Sequence, residues 1–163
     1  SELAIIAKWY QSTCCSPSEK ETVAYLVIPL LRALGWTPQK MAVEWHNVDI
    51  ALFCSLPRDP NNLAAVVEAK RKDRSCFTAK SQAQGYAERH GTDLCRRLIV
   101  TDGIRYAVFF RSKSGFEEHP RAYLNLADMR SEYPIYECQG AKEAFLLMSA
   151  DWIEARKREP TSA

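Results

Sequence analysis

The chain is short of several things, and each shortage removes a class of function. No apolar run reaches the about eighteen residues that a membrane span needs, so no membrane location is expected. No secretory signal is visible. Six cysteines are present (Cys14, Cys15, Cys54, Cys76, Cys95 and Cys138), but none forms a CxxC pair. The three histidines, His46, His90 and His119, stand far apart, so a zinc site has little support. Scattered cysteines without a disulfide-like framework suit a reducing cytosol, and they are expected mainly in the core. An excess of one charge is also lacking. Lysine and arginine total 22 against 20 acidic residues, a net charge of +2, which by itself does not argue for nucleic-acid binding. No internal repeat, low-complexity segment or linker breaks the chain.

What is present is ample apolar material. Hydrophobic residues make up 47% of the 163, enough for one domain with a proper core, and the expectation is a single domain over 1–163. A short helix is expected over 2–12. Ser18 to Glu21 reads as an S-x-x-E capping box, opening a helix whose Val23, Leu26, Val27, Leu30, Leu31 and Leu34 share one face. Pro29 should kink that helix or shift its start, and Gly35 is placed to end it. Strands are expected at 40–45, 48–54 and 63–70, with a turn over 55–62. A helix fits 78–90, stopped by Gly91. Residues 96–111 read as two strands around Asp102-Gly103, a hairpin signal. A further strand is expected within 119–126 and a last helix over 139–157. The order gives an α/β fold: a mixed central sheet flanked by helices.

Two strands carry charge where charge is out of place. "VVEAKR", 66–71, is apolar except for Glu68 and Lys70, which point to the same face if the segment is extended. Asp49 interrupts the otherwise apolar "VDIALF". If the two strands are neighbours, Asp49 and Glu68 lie side by side. Adjacent carboxylates repel unless a cation sits between them, and hard oxygen donors suit Mg2+. Lys70 could then orient a cation-bound water, which is a ready nucleophile. Glu19 lies four residues before Val23 and extends the apolar stripe, whereas Glu21 faces elsewhere and has its capping role. Gln82 and Tyr86 share a helix face at i, i+4, and Ala79 and Ala83 leave that helix thin enough to approach a sheet closely. "KRKDR", 70–74, reads equally well as a solvated turn or as a basic track.

This ordered set (helix Glu, strand Asp, Glu-x-Lys, Gln-x-x-x-Tyr) resembles the PD-(D/E)XK nuclease superfamily. It is most similar to the N-terminal nuclease domain of type I restriction enzyme restriction (motor) subunits. "SEKETVAYLVIPLLRALGW", "VDIALF", "VVEAKR", "SQAQGYAERHG" and "LIVTDGIRYAVF" carry the resemblance over about 17–111. Val48 departs from it, standing where the superfamily's name has proline. The resemblance implies a restriction-endonuclease-like core and a cytoplasmic endonuclease, hydrolysing DNA phosphodiester bonds in restriction or phage defence. Asp49, Glu68 and Glu19 would hold Mg2+, or Mn2+ in its place. Lys70 would assist the water, and Gln82 and Tyr86 would position phosphate or carboxylates. DNA would be the partner, together with larger motor or specificity subunits or domains, and phosphate contacts are expected from Lys70, Arg71, Lys72, Arg74, Lys80 and Arg89. The readings left open are an inactive nucleic-acid-binding module of the same fold, an RNA-cleaving nuclease, and an interaction domain.

Overall fold

The computed structural model describes residues 1–12, 17–72, 74–136 and 138–151. Cys14, Cys15, Asp73, the end of the expected last helix and the tail lie outside the described residues.

Helix α1 spans Glu2–Ser12. Helix α2, Glu19–Thr22, begins with the expected box: the Glu21 N–H donates to the Ser18 hydroxyl (3.1 Å) and the Ser18 N–H to the Glu21 carboxylate (2.8 Å). It continues through a π-helical turn, Val23–Val27, into α3, Ile28–Ala33. In that turn the Ile28 N–H donates to the Val23 carbonyl, five residues back. Pro29 has no N–H to give, and the wider turn lies directly ahead of it, where inserted turns re-satisfy a helix. The expected kink is therefore a change of helical pitch. Gly35 follows the helix at φ +96°.

Among the described residues seven strands form one sheet. β1 (Met41–Trp45), β2 (Val48–Phe53) and β3 (Leu63–Ala69) run antiparallel as neighbours. After β3 a 3-10 turn, Cys76–Ala79, leads into α4, Lys80–His90, and the chain returns as β4 (Arg97–Thr101), parallel to β3. β5 (Arg105–Ser112) pairs antiparallel with β4, and β6 (Gly115–Phe116) and β7 (Ala122–Asn125) both pair with β5. Helix α5, Ala141–Met148, packs on β7 and β5. The mixed sheet flanked by helices is the architecture expected from the order of elements. β6 was not foreseen, and two residues are too few to carry a period.

Each sheet face has its own core. One face carries Ile50, Leu52, Val67, Ala69, Ile99 and Val108 under α1, α2, α3 and α5. The other carries Ala51, Phe53, Val66, Leu98, Val100 and Phe109 under α4, which contributes Ala79, Ala83 and Ala87 from its start and inner side. Cys54, Cys76, Cys95 and Cys138 are buried free thiols, consistent with a core role. Among the described residues no helix is long and apolar enough to cross a membrane.

The β4–β5 hairpin is tied by buried Asp102, whose carboxylate accepts from the Ile104 N–H (3.0 Å), the Arg105 N–H (2.7 Å) and the Arg105 guanidinium (2.7 Å). Gly103, at φ +84°, lies under the α2–α3 helix: a Cβ there would come within 2.6 Å of Thr22 and 2.9 Å of Leu26. Gly103→Ala combines that clash with a left-handed backbone and should cost about 1–3 kcal/mol. Gly85→Ala, in α4 with open space around it, should gain about 0.5–1 kcal/mol. Denaturant midpoints of the two variants give opposite signs on this account.

Candidate active site

The β2–β3 register pairs Ile50 with Val67 and Ala51 with Val66. Continued one step, it sets Asp49 opposite Glu68. Alternation puts both on the α4 side, with Ala51 and Val66 beneath them. The two strands hold the acids reciprocally. The Asp49 N–H donates to Glu68 Oε1 (3.3 Å), and the Ala69 N–H donates to Asp49 Oδ2 (2.8 Å). Glu68 is only 2% exposed, whereas Asp49 is half-buried.

Burial first, then the charge of Asp49 and the hydrogen bond between the two carboxyls, push Glu68 up to about 8, against a smaller downward pull from Lys70. At neutral pH the pair therefore retains a proton. Lys70 stands just past the end of β3, its N–H donating to the Thr101 carbonyl (2.8 Å). Its ammonium donates to Gln82 Oε1 (3.2 Å), and Gln82 Nε2 donates to the Tyr86 hydroxyl (3.1 Å). Five of the nominated residues are thus linked in two sets, Asp49 with Glu68 and Lys70 with Gln82 and Tyr86.

Glu19 is placed differently. Among the described residues no three carboxylate, histidine or cysteine side chains group as metal ligands, so Glu19 does not form a three-carboxylate set with Asp49 and Glu68. The apolar stripe that Glu19 extends packs with Val67 and Ala69, on the face opposite Glu68. Glu21 is exposed and serves the cap. A two-carboxylate set still fits Mg2+, which usually keeps several waters and takes one or two protein carboxylates plus phosphate.

The basic residues lie along α4 and the segment that leads into it. Lys72 donates to the Tyr10 carbonyl. Lys72 and Arg74 line a cavity of about 250 Å³ together with Ser75, Asp102 and Arg105. Lys80 lies over the Phe109 ring (5.3 Å) and Arg89 over the Tyr86 ring (5.9 Å). Arg71 is exposed beside them.

One group went unnoticed in the sequence. Trp45, His46 and His90 gather next to Tyr86, with His46 and His90 stacked at 5.0 Å. The i, i+4, i+8 spacing of Gln82, Tyr86 and His90 was the available signal.

No protein-family profile matches the chain, and no curated protein matches it either. Among solved structures, it is similar to a fragment of a chain assigned as an HsdR subunit of a type I restriction enzyme from Vibrio vulnificus. That similarity has a TM-score of 0.47 at 21% identity, and covers 63% of this chain and 22% of the other.

The protonated pair makes stability depend on pH. The folded state keeps the Glu68 proton up to about 8, while an unfolded glutamate releases it near 4.5. Between those values the folded state binds more protons, so metal-free stability falls as pH rises. Melting temperatures taken from about pH 5 to pH 9 should decline for the parent and decline less for Glu68→Gln, which has no proton to lose. Parallel curves for the two proteins would contradict a raised Glu68.

Proposed function

We propose that this chain is a nuclease domain of the PD-(D/E)XK type, with its core at about 17–111, hydrolysing DNA phosphodiester bonds with Mg2+ or Mn2+. The observation that carries the reading is the Asp49–Glu68 pair: two carboxyls of adjacent strands, held face to face by each other's backbone, with Lys70 two residues on. A structural role alone gives no reason to bury Glu68 against a second acid, since replacing such groups by apolar ones often costs nothing.

In this reading Asp49 and Glu68 hold the cation, and the proton they share leaves as it binds. A bound divalent cation supplies a water of lowered pKa as nucleophile. Lys70, whose ammonium is held by Gln82, would orient a nucleophilic water and steady charge on the phosphate. Gln82 fixes the Lys70 ammonium through its carbonyl oxygen and is itself fixed by Tyr86. Glu19 is assigned an outlying part at the tip of α2, tuning the cation's surroundings. Lys70, Arg71, Lys72, Arg74, Lys80 and Arg89 supply phosphate contacts. The setting proposed is a cytoplasmic restriction or phage-defence system, in which motor or specificity subunits or domains bring the DNA.

The test is incubation with supercoiled plasmid and with single strands, with and without Mg2+ or Mn2+. Cleavage should require the metal. Asp49→Ala and Glu68→Ala should reduce it to background while remaining folded, and Lys70→Ala should slow it about 10²–10⁴-fold with metal uptake retained. Glu19→Ala should cost less than either pair variant, and Glu21→Ala should cost cap stability of about 1 kcal/mol with activity kept. Metal uptake at neutral pH should release protons, read by calorimetry as a heat that changes with the buffer. Uptake without cleavage of DNA or RNA would move the domain to binding.

Binding to duplex DNA should weaken with salt, with a slope of about −0.9 in log affinity against log salt for each phosphate neutralised. An affinity indifferent to salt would remove the basic residues from the phosphate track.

A further inference from the structure

We infer that the file of rings Tyr86, His90 and His46 is a platform on which an unpaired nucleobase stacks, beside the cleavage site proposed at Asp49, Glu68 and Lys70; this rests on the nuclease reading above. The three rings come from two elements and lie nearly parallel. Tyr86 and His90 are 6.3 Å apart at 25°, and His90 and His46 5.0 Å apart at 18°. Trp45 stands edge-on to both imidazoles, at 4.4 Å and 6.0 Å, and its own ring meets Phe53 of β2 at 5.3 Å. The file is thus braced on the core, while its last ring, His46, is exposed. The Arg89 guanidinium over Tyr86 adds a cation beside the rings.

The platform is continuous with the site at both ends. Tyr86 is the end of the Lys70–Gln82–Tyr86 hydrogen-bond chain. His46 precedes Asp49 by three residues, at most roughly 10 Å of backbone. The turn that displays His46 is built from left-handed backbone: His46 at φ 46° and Asn47 at φ 68°, after Glu44 at φ 56°. Glu44 also drops out of the β1–β2 pairing between Val43 and Trp45. His46 and Asn47 are the two central residues of a two-residue hairpin, whose favoured turn takes this left-handed backbone at both positions, so the turn holds the His46 ring at the hairpin's tip. Fastening the turn to α4 needs no aromatic ring at its exposed tip.

Stacking tolerates any sequence, because every base has a π-face, and arginine near such rings strengthens it. Bases inside a duplex are already stacked on one another. The platform therefore selects strands with unpaired nucleotides beside the cleavage point, namely single strands, flaps or locally opened duplex.

The experiment uses the whole chain with a chelator present, so that nothing is cut. The probe is a DNA single strand carrying one 2-aminopurine, whose fluorescence is quenched on stacking; its duplex and an abasic counterpart are compared. Binding should quench the probe, and the single strand should be preferred to the duplex. His46→Asn removes the ring and keeps a residue that tolerates left-handed backbone. It should abolish the quench and lower single-strand affinity about 5- to 150-fold, at an unchanged melting temperature. His46→Phe should restore both. A quench that survives in His46→Asn, or an abasic strand bound as tightly as its parent, overturns the platform, as does failure to bind any strand. Quenching without metal-dependent cleavage of either plasmid or single strand keeps the platform and sinks the nuclease; cleavage without base dependence does the reverse.

Discussion

Two hydrogen bonds between β2 and β3 govern the rest of this structure. At Asp49 and Glu68 the ladder stops running from backbone to backbone, and each strand's N–H turns to the other strand's carboxyl. That exchange satisfies donors that would otherwise be left unpaired at the sheet's end. It also fixes two acids in register where repulsion would push them apart. Strand pairing at this point and the placing of the two acids therefore rest on the same contacts.

The surroundings follow from keeping such a pair tolerable. β4 lies parallel to β3 with buried Val100 beside Glu68, which removes water and favours the protonated acid. Lys70 opposes this, as a cation at the point where the strand leaves the sheet. Its own place is set by Gln82, so α4 orients the lysine as well as covering the sheet. Asp102 and Gly103 close the next hairpin, with the end of α2 and the π-helical turn packed directly over it. The site's end of the sheet is thus bounded on one face by α4 and on the other by the helix that begins at Glu19.

What could be read from the chain was what is local. Short apolar runs marked the antiparallel strands, Asp102-Gly103 marked the hairpin, and S-x-x-E marked the start of α2, because each is settled within a few residues. The shared face of Asp49 and Glu68 also followed, since period two and antiparallel pairing leave no other choice once the strands are neighbours. Glu19 shows where such reasoning stops. Its periodicity correctly leads toward a core, but the sheet has two cores, and which one a helix covers is decided by tertiary packing. The π turn before Pro29 was equally hidden: the proline announces a disturbance, and only the surrounding contacts choose between a kink and a widened turn. His46 and Trp45 escaped because their neighbours on α4 lie more than forty positions away.

The alanine side of α4 bears on motion. A helix that meets the sheet through Ala83 and Ala87 packs there through small side chains, and its Gln82 reaches Lys70, just past the end of β3. Strands β2, β3 and β4 are paired on both edges through residues that are almost wholly buried. Opening of the molecule is accordingly graded: the amides of α4 exchange with solvent before those of the central strands. The lysine is released from its glutamine in that first step, while the two acids stay locked in the sheet. Local unfolding at this helix thus uncovers the carboxyl pair without dismantling it.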